Sequence, residues 1–319
     1  MRILFITSTR IGDGVLSTGI LGHLIDENPG ARITVVCGPV AKGLFEGVPG
    51  LDEIIVLEKK PYSLHWLKMW VKSIGKIWDV VVDLRNAPLS YLLFSKRQYH
   101  LGRATKNNHH RVKALASVLG LEENPPKPRL WLRDGDTEQA AKLIPDGGPV
   151  LAIGPSANWI GKVWPAENFT ALATRLVSDD GIIPGARIAV FAHESEREMA
   201  APVIDALIAD GRDVIDLVGK HHLLLVYACL KRCAFFVGND SGLMHMAAAA
   251  SIPAMGLFGP SREDHYAPWG SKCASVRTDL DYDAIFPSKD RLFKVGSLMG
   301  TLDVNKAEHA ARNLWQNKG

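Results

Sequence analysis

The sequence predicts two doubly wound domains, each with helices on both faces of a parallel sheet. Three observations carry this. Short apolar runs of strand length alternate with longer helical stretches along the whole chain. Turn-forming residues break the pattern mid-chain, at Asn124-Pro125-Pro126-Lys127-Pro128 and again at Asp146-Gly147-Gly148-Pro149. The same alternation then starts afresh. A chain of 319 residues can bury two cores of ordinary size. The boundary falls near Pro145, giving domains 1–145 and 146–319.

In the first domain, residues 3–6 read as a strand, 7–14 as a loop and 15–25 as a helix. Further strands fall at 33–37, 54–57 and 80–84. Gly12-x-Gly14 lacks the third glycine of a dinucleotide fingerprint, so no Rossmann cofactor is indicated. The first loop still matters, because open parallel sheets bind ligands beyond the carboxyl ends of their strands. Asp13 stands there, where an aspartate taken alone serves as a helix N-cap.

Residues 64–78 read as one amphipathic helix. Leu64, Leu67, Val71, Ile74 and Trp78 form its stripe, Trp66, Trp70 and Ile77 widen the edge, and Lys68, Lys72 and Lys76 lie opposite. With Lys59, Lys60 and Tyr62 just before it, such an arc suits an anionic membrane surface. The following run holds Lys96, Arg97, Arg103, Lys106, Arg111 and Lys113 without an acid, and points to an anionic partner. Aromatics are sparse in it and no nucleic-acid motif accompanies it, which disfavours RNA or DNA. Residues 130–132 then read as a short strand and 137–144 as a helix.

The second domain predicts strands at 150–153, 188–192, 214–218, 235–237 and 254–258, with a terminal helix at 305–316. Its informative stretch is Phe235-Phe236-Val237-Gly238-Asn239-Asp240-Ser241-Gly242-Leu243-Met244-His245, followed by an alanine-rich helix and a strand ending in Phe258-Gly259-Pro260-Ser261. Asp240 or Ser241 can cap the helix, Gly242 allows close approach of a ligand, and His245 lies one turn from Ser241. Free N–H groups at such a helix start suit a diphosphate. Earlier, Gly154-Pro155-Ser156-Ala157-Asn158-Trp159-Ile160-Gly161-Lys162-Val163-Trp164-Pro165 follows the domain's first strand, with Pro165 placed to begin a helix. Ser156 and Asn158 can bond phosphate or sugar hydroxyls.

Composition narrows the classes. Apolar content of 47% with 22% charged residues is that of a soluble globular protein, and the net charge of +3 leaves anion binding to local patches. No apolar run approaches the ~20 residues of a membrane span. The four cysteines form no C-x-x-C pair and fit a reducing compartment. Asp134-Gly135-Asp136 and Asp279-Leu280-Asp281 look like metal-binding pairs, but both lie outside the strand-end loops and read as turns. No metal is expected.

Asp240-Ser241-Gly242-x-x-His245, Phe258-Gly259-Pro260-Ser261 and Lys162-x-Trp164-Pro165 together resemble glycosyltransferase family 9, the ADP-heptose:lipopolysaccharide heptosyltransferases. The resemblance covers nearly the whole chain. It implies the glycosyltransferase B arrangement, with two doubly wound domains facing a cleft and the terminal helix packing back on the first domain. It implies Asp13, in Gly12-Asp13, as catalytic base. Lys162 is implied to reach the donor phosphates, Glu194 the nucleoside, and Asp240, Ser241, Gly242 and His245 the nucleotide-sugar. The expected function is metal-independent, inverting transfer of heptose from ADP-heptose to the inner core of lipopolysaccharide, with no cofactor. The alternatives are a relative using another nucleotide-sugar and an inactive nucleotide-binding relative. A phosphorylated, acidic-sugar lipid then suits the basic run, and a cytoplasmic enzyme peripheral to the inner membrane face follows. His221-His222 departs from the small polar residues of the family.

Overall fold

The computed structural model describes residues 1–58, 65–102, 109–286 and 295–317. The chain divides into two compact units, Met1–Asp134 and Gly135–Gly319.

The first unit runs β1 (Arg2–Ile6), α1 (Ile11–Glu27), β2 (Arg32–Cys37), β3 (Leu51–Val56), α2 (His65–Ser73), β4 (Trp78–Asp83), β5 (Ser95–His100) and α3 (Arg111–Ala116). Its strands pair in parallel in the order β3-β2-β1-β4-β5. The order reverses between β1 and β4, which opens a crevice at their carboxyl ends. Ile3, Leu4, Phe5 and Ile6 are wholly buried, as a central strand covered on both faces requires.

The second unit runs α4 (Asp136–Leu143), β6 (Val150–Gly154), α5 (Ala166–Val177), β7 (Arg187–His193), α6 (Arg197–Ala209), β8 (Val214–Gly219), α7 (Leu223–Leu230), β9 (Phe235–Asn239), α8 (Gly242–Ala249), β10 (Ala254–Phe258), α9 (Glu263–Tyr266), β11 (Cys273–Arg277), α10 (Tyr282–Ile285) and α11 (Val304–Gln316). The sheet order is β11-β10-β9-β6-β7-β8, again all parallel, with its reversal between β6 and β9.

Several sequence expectations change. Two of the four edge strands, β5 and β11, carry no continuous apolar run; β5 reads Ser-Lys-Arg-Gln-Tyr-His, so its cations hid a strand. The helix expected over 64–78 spans only His65–Ser73, and Trp78 begins β4 as a buried core residue. Its stripe is also rotated. Met69 is buried and Trp66, Trp70 and Ile74 pack on the core, whereas Leu67 and Val71 face out at 48% and 62% exposure. The larger indole rings remove more apolar area from water, so they win the inward face.

Residues 130–132 form no strand. This segment instead lies across α1, where Arg129 N–H donates to Thr18 Oγ1 at 3.0 Å. A Cβ at Gly19 would meet the Pro126 carbonyl at 2.2 Å, so the glycine is what lets the chain lie that close. The unit boundary falls at Asp134 rather than Pro145, because α4 packs on α7 and Arg232 donates to the Ile144 carbonyl at 2.7 Å. The terminal helix, expected to return to the first domain, is built into the second unit. Ala307, Ala311 and Leu314 make a narrow buried stripe in that unit's core, against α5, β10 and β11.

Candidate active site

Each unit gathers its polar residues at its own point of strand reversal. In the second unit, β6 and β9 lie side by side and their following loops emerge together. The β6 loop makes a turn at Ile160–Lys162 and is anchored by Trp164, which is fully buried. Trp164 Nε1 donates to the Leu302 carbonyl at 2.9 Å, and its ring meets Phe169 edge-on at 5.1 Å. Asn239, at the end of β9, accepts from Trp164 N–H at 3.1 Å and donates to the Pro155 carbonyl at 2.8 Å. Sequence reading gave Asn239 no role, yet it ties the two motifs together.

This frame sets Lys162 Nζ 2.5 Å from Asp240 Oδ2, with the two side chains 22% and 9% exposed. Ser241 is the N-cap of α8 in extended conformation (φ −148°), and its hydroxyl makes no cap bond. The Oγ atoms of Ser241 and Ser261 are both buried without a hydrogen-bond partner among the described residues. Unpaired buried hydroxyls are uncommon unless a ligand completes them. His245 is buried one turn into the helix. A helix start with orphan N–H groups and the unspent Ser241 hydroxyl, beside the Lys162–Asp240 pair, can seat an oxyanion, and Ser261 follows the adjacent strand β10.

The remaining donor candidates are dispersed. Ser156 is buried and donates to Glu196 Oε2 at 2.7 Å. Asn158 is exposed. Glu194 is half exposed and pairs with Lys220 at 3.1 Å. His222 caps α7, its Nδ1 accepting from Leu225 N–H at 3.1 Å while Nε2 lies 3.4 Å from buried Asp136. Asp281 caps α10, accepting from Ala284 N–H at 2.8 Å, and Asp279 pairs with Lys306. Asp279 and Asp281 are thus engaged in an ion pair and a cap, and Asp136 faces His222. Among the described residues, no group of three His, Cys, Asp or Glu is placed to hold a metal ion.

In the first unit, Asp13 is the third residue of α1, not its cap; Arg10 holds the cap position with no side-chain bond. The carboxylate lies 3.5 Å from Ser8 Oγ and 3.6 Å from Arg111 Nε. It faces a cavity of about 220 Å³ lined by Ser8, Thr9, Arg10, Asp13, Leu84, Arg85 and Arg111. Burial pulls Arg85 below the usual arginine range, partly opposed by the carboxylates of Asp83 and Asp13. Three guanidiniums against one carboxylate leave two positive charges on this lining.

Of the basic run, the described structure brings only Arg111 to this cavity. Lys96 and Arg97 sit at the amino end of β5, roughly a strand length from the carboxyl ends, and Lys96 is paired with Asp79. Lys113 is exposed on α3. Arg103 and Lys106 lie outside the described residues. Sequence reading missed Ser8, Arg10 and Arg85. The signal for Arg85 was positional: it follows the strand that pairs with β1 across the reversal.

The family Glycosyltransferase family 9 (heptosyltransferase) matches residues 73–294. The chain belongs to glycosyltransferase family 9. As a family member it is a glycosyltransferase. Similar proteins include lipopolysaccharide heptosyltransferase 2 of Salmonella typhimurium, 26% identical over 323 residues, covering 89% of this chain and 90% of that one. Lipooligosaccharide heptosyltransferase 2 of Campylobacter jejuni is 24% identical over 331 residues, covering 99% of each. Among solved structures, a family 9 glycosyl transferase from Veillonella parvula aligns with a TM-score of 0.75 at 22% identity, over 99% of this chain and 97% of that one. Escherichia coli ADP-heptose lps heptosyltransferase II aligns at 0.73 and 20%, over 99% of each. Two doubly wound parallel-sheet units give the family 9 chain the glycosyltransferase B fold class.

Proposed function

We propose that the protein transfers heptose from ADP-heptose to the inner core of lipopolysaccharide, by a single inverting displacement that uses no metal. The names of the similar proteins support heptose and the lipopolysaccharide core. The observation that carries the donor reading is the seat at the reversal point of the second unit. Lys162 and the α8 N–H groups meet the diphosphate there, with Ser241 and Ser261 completing their hydrogen bonds on it. As the glycosidic bond to the sugar breaks, the leaving diphosphate gains charge. A fixed ammonium and helix-terminal N–H groups stabilise that charge more in the transition state than before it. Lys162 is the cation held at this seat, so in this reading the countercharge falls to it.

Asp13 takes the proton from the acceptor hydroxyl as that oxygen attacks the anomeric carbon. The acceptor is an anionic glycolipid, matched by the positive lining around Asp13. The enzyme works at the cytoplasmic side of an anionic membrane, to which it binds peripherally.

The test is turnover of ADP-heptose with Kdo-lipid A or a heptosylated core acceptor, with and without EDTA, with the product's anomeric configuration read by NMR. Thermal shift against ADP, UDP and GDP checks the nucleotide, since only the bound diphosphate raises the melting temperature. Preference for UDP or GDP would overturn the donor assignment. Loss of turnover in EDTA would overturn the metal-free reading, and retained configuration would overturn the inverting step.

A further inference from the structure

The turn after β4 is more heavily fixed than a connection needs to be. Asp83 is completely buried, and its carboxylate accepts from Arg85 N–H at 2.7 Å, Ala87 N–H at 2.6 Å and Ser90 Oγ at 2.7 Å. His100 Nδ1 lies 3.7 Å from it. Asn86 holds a left-handed conformation (φ 57°), which is unfavourable for a residue other than glycine. Tyr91 secures it, donating to Asn86 Oδ1 at 2.6 Å while its ring stacks on His100 at 3.8 Å. A strained residue held by this many bonds points to a side chain that must be presented.

That side chain is Arg85. Its guanidinium lies 5.7 Å from the Trp66 ring centroid, on the wall of the cavity that holds Asp13. Its guanidinium makes no hydrogen bond or ion pair with a described residue. Arg111 approaches Asp13 only at 3.6 Å, and its buried Nε has no hydrogen-bond partner among the described residues. Two planar donor forks with unspent N–H groups, in a lining with excess positive charge, match a phosphate or a carboxylate. A single carboxylate, Asp13, does not neutralise them.

We propose that Arg85, with Arg111, seats one oxyanion of the acceptor beside the hydroxyl that Asp13 deprotonates. Arg85 thereby selects acceptors by charge near the accepting position. This rests on the acceptor reading above. The oxyanion is a phosphate monoester or the carboxylate of a sugar acid. Asp83 is a positioning residue, acting through the turn that aims Arg85.

The test is acceptor kinetics with wild type, Arg85→Gln and Arg85→Lys on three acceptors: intact, dephosphorylated, and with its sugar-acid carboxylate converted to an amide. Arg85→Gln raises KM for the intact acceptor at least tenfold and leaves KM for the donor unchanged. Wild type suffers a similar loss on the acceptor lacking the seated group, and Arg85→Gln loses nothing further there. The acceptor on which the losses merge identifies the source. Arg85→Lys keeps the charge without the fork and falls between. An unchanged KM in Arg85→Gln, or losses that multiply on both altered acceptors, overturns the proposal. Binding is also read without turnover, by thermal shift with inorganic phosphate and with free Kdo. A shift in wild type that vanishes in Arg85→Gln supports the seat even if no heptose is transferred, while no shift with either probe, alongside normal turnover, counts against it.

Discussion

At the scale of single residues, the geometry leaves Asp13 little architectural role. As the third residue of α1 it makes no cap bond, so its contribution to the helix is a favourable charge near the amino end, worth about 0.3–1 kcal/mol. Asp13→Asn therefore folds with a melting temperature close to wild type and binds donor normally, but loses kcat by roughly 10²–10⁴-fold, the range for removal of a general base. Turnover within a few-fold of wild type would remove Asp13 from the mechanism. Lys162 differs, because it is paired with a buried partner. Lys162→Ala weakens ADP binding and lowers kcat together, and also strands the Asp240 carboxylate. Adding Asp240→Asn then restores melting temperature but not turnover. A double variant no more stable than Lys162→Ala would mean the pair does not hold the loop.

At the scale of elements, the strands that could be read were those with a continuous apolar run. β1, β2, β4, β6, β7, β9 and β10 announce themselves as apolar runs because sheet and helices cover them. β3 and β8 are edge strands that keep apolar runs and so were read, whereas the edge strands β5 and β11 are rich in polar residues and were invisible. The two loop motifs of the second unit were legible because glycine, proline and a cap residue fall at fixed steps after a strand. Arg85 was not, because its role depends on β4 lying beside β1, a pairing that no local pattern declares. The turn that carries Arg85 also responds to pH. Burial holds His100 below its ordinary 6.5, with Asp83 opposing in part. Folding thus favours the neutral ring, and the unfolded chain binds more protons once pH falls below about 6.5. Stability is expected to drop as pH falls from that value toward the lowered folded one, and to be unaffected by His100 above it. His100→Gln should flatten this segment of the stability profile measured by urea unfolding; an unchanged slope would assign it elsewhere.

At the scale of the whole molecule, no helix among the described residues is long and apolar enough to cross a membrane, and the proposed function calls for a lipid-borne acceptor. The rotated face of α2 is where the proposed membrane contact would fall. Trp66, at its start, lies against Arg85 on the cavity wall, while Leu67 and Val71 present an apolar stripe outward, one turn apart. Lys68 and Lys72 flank that stripe; Lys68 donates to the Val56 carbonyl, and Lys72 shares Glu53 with Lys76, so the cations outnumber the acid. Two apolar side chains entering the headgroup region and two or three lysines near anionic lipid contribute about 1 kcal/mol each. Binding to vesicles of anionic phospholipid should therefore be measurable in sedimentation, should weaken as salt rises, and should be slight on neutral vesicles. Leu67→Glu with Val71→Glu leaves folding intact, because both side chains are already in water, and lowers partitioning at least tenfold. Equal binding of this variant and wild type, or equal binding to neutral and anionic vesicles, would place the membrane contact on another face of the protein.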